Sequence, residues 1–243
     1  MPIDVMRFPR NTAGRDWAVG DIHGHFSRLR RALREVGFDP SRDRLFSVGD
    51  LTDRGPECEE APQWLAQPWF HAVQGNHEDY AVRYVRTGMV DADNWRVNGG
   101  GWFLEMSPEA QRTHAETYAR MPLAIEVETD GGVVGIVHAD CPVRDWSKLA
   151  RYIQDRYKRA RSVCQWSRER LAHRDASGVR GVRAVVVGHT PLTAPVVLGN
   201  VYHIDTGGWM PGGYFTLLDL ATLRTRPTES VDREPEVRPR VSV

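Results

Sequence analysis

The chain has 243 residues, 41% of them hydrophobic, which is enough to bury one sizeable core. Its formal net charge is zero, so composition gives no global electrostatic case for binding nucleic acid or a membrane surface. No run of about 18 apolar residues occurs, so no membrane-spanning helix is predicted.

The first short apolar run, Asp16-Trp17-Ala18-Val19, ends in Gly20 and delivers Asp21. An amphipathic helix is expected over Phe26–Val36, with Leu29, Leu33 and Val36 on one face. Leu45–Val48 is the second run, closed by Gly49 and Asp50. The third, Phe70–Gln74, is followed by Gly75, Asn76 and His77. A second helix begins at Glu78 and runs to Val85. A third spans Pro108–Arg120, with Ser107 as its cap and Pro108 at its first position. Val133–Val137 runs straight into His138. Trp146–Leu171 reads as a long basic helix broken once, and Val185–Val187 leads through Gly188 to His189. Strands over Val196–Leu198 and Val201–Ile204 flank a Gly199-Asn200 hairpin turn, and Tyr214–Leu220 is the last strand. The motifs fall within one domain, residues 1–225. Residues 226–243, rich in Pro, Arg and Glu, are expected to be a mobile tail.

Five of these runs share one design. Each is short, rich in β-branched residues and punctuated by glycine, as buried strands are, and each delivers an Asp, Asn or His at its C-terminal end. In open α/β sheets, ligands bind beyond the carboxyl ends of strands. One Gly-Asp is an ordinary turn. Five endings that all carry metal-competent groups point to a metal site. His71, His114 and His173 lie in no such ending and read as ordinary residues; for His25 an ordinary position is the simpler account and the mouth of the site the alternative, and His203 lies beneath the site or in the core.

The fragments Gly20-Asp21-Ile22-His23-Gly24, Gly49-Asp50-Leu51-Thr52-Asp53-Arg54-Gly55, Gly75-Asn76-His77-Glu78, His138-Ala139 and Gly188-His189-Thr190 together resemble the phosphoprotein phosphatase family of metallophosphoesterases. Asn98-Gly99-Gly100, Met121-Pro122-Leu123, His138-Ala139-Asp140 and Ile204-Asp205-Thr206-Gly207 bring it nearest to the small bacterial and phage serine/threonine/tyrosine protein phosphatases. The resemblance spans roughly residues 16–220. It implies an enzyme with two divalent ions about 3.5–4 Å apart. Asp50 bridges them, Asp21 and His23 complete the first set, and Asn76, His138 and His189 complete the second. Oxygen and imidazole ligands without thiolate suit manganese, with iron or zinc as alternatives. The resemblance also makes His77 the general acid, Asp53 its orienting carboxylate and Arg54 a phosphate-binding fork. Arg168, in Trp166-Ser167-Arg168-Glu169-Arg170, is the second phosphate arginine, ahead of Arg161, and Asn76 also touches the phosphate. The fold implied is α/β (α+β), a two-sheet mixed β-sandwich flanked by helices, with the dimetal site on loops at strand C-terminal ends.

The expected activity is hydrolysis of phosphoserine or phosphothreonine in proteins, with phosphotyrosine or small phosphoesters as further substrates. A bis(5'-nucleosyl)-tetraphosphatase is the alternative. In those enzymes the second block typically reads Asn-Arg-Gly, where this chain has Asp53-Arg54-Gly55. A catalytically silent binding module would lack a ligand or the acid, and every such position is filled. An end-processing phosphatase for nucleic acid would draw on Arg144–Arg183, where twelve basic residues face four acidic ones; a solvated helix face is the simpler account of that stretch. Cys58, Cys141 and Cys164 fit neither a disulfide framework nor a zinc knuckle. The opening MPIDVMRFPRNTAGRD has no apolar stretch of the signal-peptide kind, so a cytoplasmic location is expected. Only Lys148 and Lys158 among 32 basic residues are lysine, a bias typical of GC-rich bacterial genomes.

Overall fold

A computed structural model describes residues 5–226. In chain order its elements are β1 (Val5–Phe8), β2 (Asp16–Val19), α1 (Phe26–Glu35), β3 (Arg44–Ser47), α2 (Ala61–Leu65), β4 (Phe70–Ala72) and α3 (Asn76–Thr87). There follow α4 (Ala92–Trp95), α5 (Gly101–Leu104), α6 (Pro108–Tyr118), β5 (Ala124–Thr129) and β6 (Gly132–Val137). The last third holds α7 (Leu149–Asp155), α8 (Tyr157–Trp166), α9 (Glu169–Ala172), β7 (Ala184–Val187), β8 (Val196–Leu198), β9 (Val201–His203), β10 (Leu217–Asp219) and β11 (Thr225–Arg226).

The strands form two sheets. One runs β1-β5-β6-β7-β9-β8 and the other β11-β10-β2-β3-β4. Pairing is parallel in β2/β3, β3/β4, β6/β7 and β7/β9, where helices or long loops connect the strands. It is antiparallel in β5/β6 and β8/β9, where tight turns do. Alternation along each strand builds three apolar layers. Ala18, Phe46, Val134, Ile136, Ala184 and Val186 point between the sheets. Trp17, Val19, Leu45 and Phe70 point outward, under α1, α2, α3 and α6. Val137, Val185, Val187 and Val201 point outward on the other side, against Trp146, Leu149, Ile153, Ala160 and Cys164. Burial on both faces explains why these strands read as continuous apolar runs without a polar face. The mixed two-sheet sandwich flanked by helices is the architecture the sequence implies.

Several boundaries differ from the sequence reading for identifiable reasons. The basic segment 146–171 breaks twice. Arg156 leaves helical geometry (φ −140°, ψ 41°) between α7 and α8, and Ser167 is extended (φ −66°, ψ 135°) after α8. The second helix begins at Asn76, so the first helical turn carries Asn76 and His77 themselves. Of Tyr214–Leu220, only Leu217–Asp219 pairs as a strand, because the Thr206 hydroxyl bonds the Tyr214 carbonyl and the Thr216 hydroxyl and holds that segment on its own loop. Arg226 pairs with Leu217 in β11, and the rest of the expected mobile tail lies outside the described residues. The Ser107 cap is as expected, its hydroxyl accepting from the Ala110 N–H at 3.2 Å. All three cysteines are buried free thiols, and no helix among the described residues is long and apolar enough to cross a membrane.

His203 lies in the core on β9, 2% exposed, and neither ring nitrogen has a hydrogen-bond partner among the described residues. Burial, helped by the Arg170 charge, pulls its pKa down to about 3. A neutral buried imidazole stabilises the fold above its unfolded pKa near 6.5 and loses that contribution as pH falls toward 3. Replacing His203 with Leu should flatten this decline. In denaturant unfolding of chelator-treated protein, the variant's advantage should grow by about 2 kcal/mol between pH 7 and pH 5. An advantage that does not change with pH would contradict the assignment.

Candidate active site

The loops after β2, β3, β4, β6 and β7 meet at one end of the sandwich and bring Asp21, His23, Asp50, Asn76, His138 and His189 together. None of the six is more than 6% exposed. The backbone is contorted to do this. Among the described residues, seven non-glycine residues have positive φ, and five of them are His23, Asp50, Asp53, Arg54 and His189. Such conformations cost on the order of 1–3 kcal/mol each and persist only where the surroundings over-determine them. Two glycines make the room. A Cβ at Gly75 would sit 2.1 Å from Asp50 Oδ1, and one at Gly188 2.2 Å from Asp21 Oδ1.

Asp50 is the hub. Its Oδ2 lies 3.4 Å from His138 Nε2, 3.6 Å from His23 Nε2 and 3.8 Å from His77 Nε2. Two clusters with metal-ligand spacing share it, His23–Asp50–His77 and Asp50–His138–His189. Asn76 Oδ1 joins the second, 3.0 Å from His138 Nε2, and His189 Nδ1 is 3.1 Å from the same atom. Asp21 stands slightly apart. It is 3.9 Å from His23 Nε2 and accepts the His189 N–H with both oxygens, at 3.0 and 3.2 Å.

The tautomers follow from the partners behind the rings. His23 Nδ1 donates to the Thr52 carbonyl and His138 Nδ1 to the Val48 carbonyl, each at 2.8 Å. Neutral rings in that tautomer turn both Nε2 lone pairs toward Asp50, and at His138, although burial works the other way, the Asp50 charge raises the pKa, so positive charge is favoured between ring and carboxylate. A divalent cation satisfies this arrangement, and the imidazole–carbonyl bonds are the support that metal-binding histidines receive in general. Proton affinities reflect the same crowding. Burial first, then the charges of Asp205 and Asp50, push the Asp21 carboxyl well above the usual range. Burial also favours neutral His23 and His189 strongly. Burial would raise Asp50 too, but the imidazoles around it, His138 foremost, hold it well below the usual range. The residues therefore fit a divalent centre made of carboxylate, imidazole and amide oxygen.

Beside this centre, Asp53 Oδ2 accepts from His77 Nδ1 at 2.6 Å. The next residue, Arg54, lays its guanidinium over the Trp209 ring, 4.4 Å from the centroid, and reaches His23 Nε2. Arg168 is exposed at the start of α9, near enough for its charge to depress His189. Arg161 is committed elsewhere, to the buried Asp79 at 2.9 Å. His25 donates to the His23 carbonyl at 2.7 Å and shapes that turn.

A model of the calcineurin-like phosphoesterase family matches residues 15–206, which contain every one of these side chains except Trp209. The chain belongs to this family. It is 39% identical over 207 residues to serine/threonine-protein phosphatase 1 of Salmonella typhimurium, covering 83% of this chain and 89% of that one. It is 27% identical over 207 residues to the asymmetrical bis(5'-nucleosyl)-tetraphosphatase PrpE of Bacillus velezensis, covering 78% and 82%. The fold is shared with a solved protein serine/threonine phosphatase from Saccharomyces cerevisiae, with a TM-score of 0.57, 15% identity and coverage of 96% of this chain and 87% of that one. As a calcineurin-like phosphoesterase the protein is a metal-dependent phosphoester hydrolase.

Glu78 is the site residue for which the sequence reading provides no role beyond starting a helix. It is fully buried. Its carboxylate accepts the N–H groups of Asp50 at 3.0 Å, Leu51 at 2.7 Å and Gly75 at 2.9 Å, and so ties the Asp50 loop to the first turn of α3. An acid three residues into a helix is a recognisable cap, which was the available signal. Burial, then the neighbouring Asp50, raises its pKa to about 7. Glu78→Gln keeps the shape but turns an amide NH2 toward N–H donors. It should lower unfolding free energy by about 2–4 kcal/mol in denaturant titration. Wild-type stability would show that these three bonds do not hold the loop.

Proposed function

We propose that this phosphoesterase is a protein serine/threonine phosphatase. Asp21, His23 and Asp50 would hold one divalent ion, and Asp50, Asn76, His138 and His189 a second, with manganese first and iron or zinc also suited to these donors. When bound, the ions supply Lewis acidity toward the phosphoryl oxygens and an acidified water to attack phosphorus. The chain does the rest. Arg54 offers a planar fork to the non-bridging oxygens, Arg168, whose charge reaches His189, adds a second cation, and Asn76 also touches the phosphate. His77 delivers the proton that the leaving oxygen needs, with Asp53 keeping its Nδ1 occupied and its Nε2 turned to the centre.

The observation that carries this reading is the buried Asp53–His77 pair, 2.6 Å apart and beside Asp50. A seryl or threonyl alkoxide is a poor leaving group and depends on an acid. A nucleoside polyphosphate leaves as an already stable anion and depends on one far less. The relative at 39% identity, named a serine/threonine-protein phosphatase, supports the same choice over the tetraphosphatase at 27%. His77 is also backed by a carboxylate at Nδ1, whereas His23 and His138 are backed by backbone carbonyls. This separates His77 from the ligands despite its place in the His23 cluster.

His77→Asn should reduce turnover of a phosphoserine peptide by about 10²–10⁴-fold and that of an aryl phosphate much less, with metal content retained. Equal losses together with lost metal would make His77 a ligand instead of the acid. A substrate panel on the wild-type protein should show faster hydrolysis of the phosphopeptide than of diadenosine tetraphosphate. The reverse order would favour the nucleotide polyphosphate reading.

A further inference from the structure

Asp53 accepts more than the His77 proton. Trp95 Nε1 donates to the same oxygen, Oδ2, at 2.7 Å, and Trp102 Nε1 donates to Oδ1, also at 2.7 Å. The carboxylate is 1% exposed and sits on a positive-φ residue (φ 70°). We propose that Trp95 and Trp102 are positioning residues for catalysis: their two indole N–H groups lock the Asp53 carboxylate so that it aims His77.

The chemistry of the indole suits this task. It has one donor and no acceptor, so it cannot change tautomer or compete for the His77 proton. It is neutral, so it fixes the carboxylate without discharging it. With Oδ1 held by one rigid ring and Oδ2 shared between the other ring and His77, rotation about the Asp53 side chain would break at least one buried bond, at a cost of roughly 1–3 kcal/mol.

The chain is bent specifically to bring the two rings there. Between α4 and α5 the helix kinks at Asn98 (φ −91°, ψ 16°) and Gly99 (φ 91°, ψ 8°). The Gly99 carbonyl accepts the Arg54 N–H at 3.3 Å. A Cβ on Gly99 would lie 2.3 Å from that nitrogen, and one on Gly100 would lie 2.2 Å from Trp95 Nε1. The Asn98-Gly99-Gly100 kink therefore lets this segment close over the Asp53-Arg54 turn and fold one tryptophan from each side onto the carboxylate. Trp95 is fully buried and packs against Tyr80 and Phe103, whereas Trp102 is half-buried, which makes Trp102 the cleaner position to test.

This inference rests on His77 being the acid, so Trp102→Phe and His77→Asn are to be measured side by side in the metal-loaded full chain. Trp102→Phe should lower kcat on a phosphoserine peptide by about 10-fold or more, a part of what general acid catalysis contributes. The expected change on an aryl phosphate is under about 3-fold, with KM on both substrates and metal content unchanged. If packing at 102 proves critical, β-(3-benzothienyl)alanine, which keeps the bicyclic shape and lacks the N–H, should give the same split. A purely structural role predicts equal losses on both substrates, and that result, or no loss on either, overturns the proposal. If His77→Asn shows the leaving-group split and neither Trp102 variant does, the clamp alone is refuted. If His77→Asn shows no split, the acid reading falls and the clamp with it.

Discussion

The structure depends on keeping one carboxylate, Asp50, buried among three imidazoles. His23, His77 and His138 all present Nε2 to the same oxygen within 3.8 Å. A buried charge of this kind is tolerable only when it is paired and hydrogen-bonded. The backbone holding it is at positive φ and is fastened by Glu78 from below, while Gly75 is bare so that the carboxylate fits. The same loop continues to Asp53 and Arg54. One tightly held turn therefore fixes the proposed shared ligand, the support of the proposed acid and the proposed phosphate fork in a common frame.

The sandwich supplies the rigidity this needs. Strands buried on both faces cannot slip by one residue without turning a full row of side chains into the wrong layer. Their C-terminal ends are thus reliable anchor points, and five of them converge. Helix α3 adds a second anchor, since Asn76 and His77 sit in its first turn. Their spacing is fixed by helical geometry, and Glu78 in the same turn returns to the Asp50 loop.

Much of this was legible in the sequence, for a physical reason. Metal-competent side chains at the ends of Gly-punctuated apolar runs are a local pattern, and Asp21, His23, Asp50, Asn76, His138 and His189 all carried it. The sandwich was legible through the family resemblance that those fragments carry, and its buried strands through their short apolar runs. The supporting groups were not legible, because their roles arise from tertiary contacts. Trp95 and Trp102 reach Asp53 from 42 and 49 residues away through a kink with no periodicity. Glu78 looked like a helix start, and nothing local marks it as the acceptor of two N–H groups from the preceding loop. The double break in the basic segment was hidden because Arg156 and Ser167 carry no strong breaker signal. Arg170 in that stretch is neither solvated nor at the mouth. It is buried against Asp140 at 2.8 Å.

The central claim is a two-ion centre in which Asp50 belongs to both halves. Anomalous diffraction from crystals of manganese-loaded protein, collected at the metal edge, tests it most directly. The account predicts two peaks about 3.5–4 Å apart, with Asp50 between them, Asp21 and His23 on one side and Asn76, His138 and His189 on the other. A single peak, or two peaks that do not share Asp50, would contradict it.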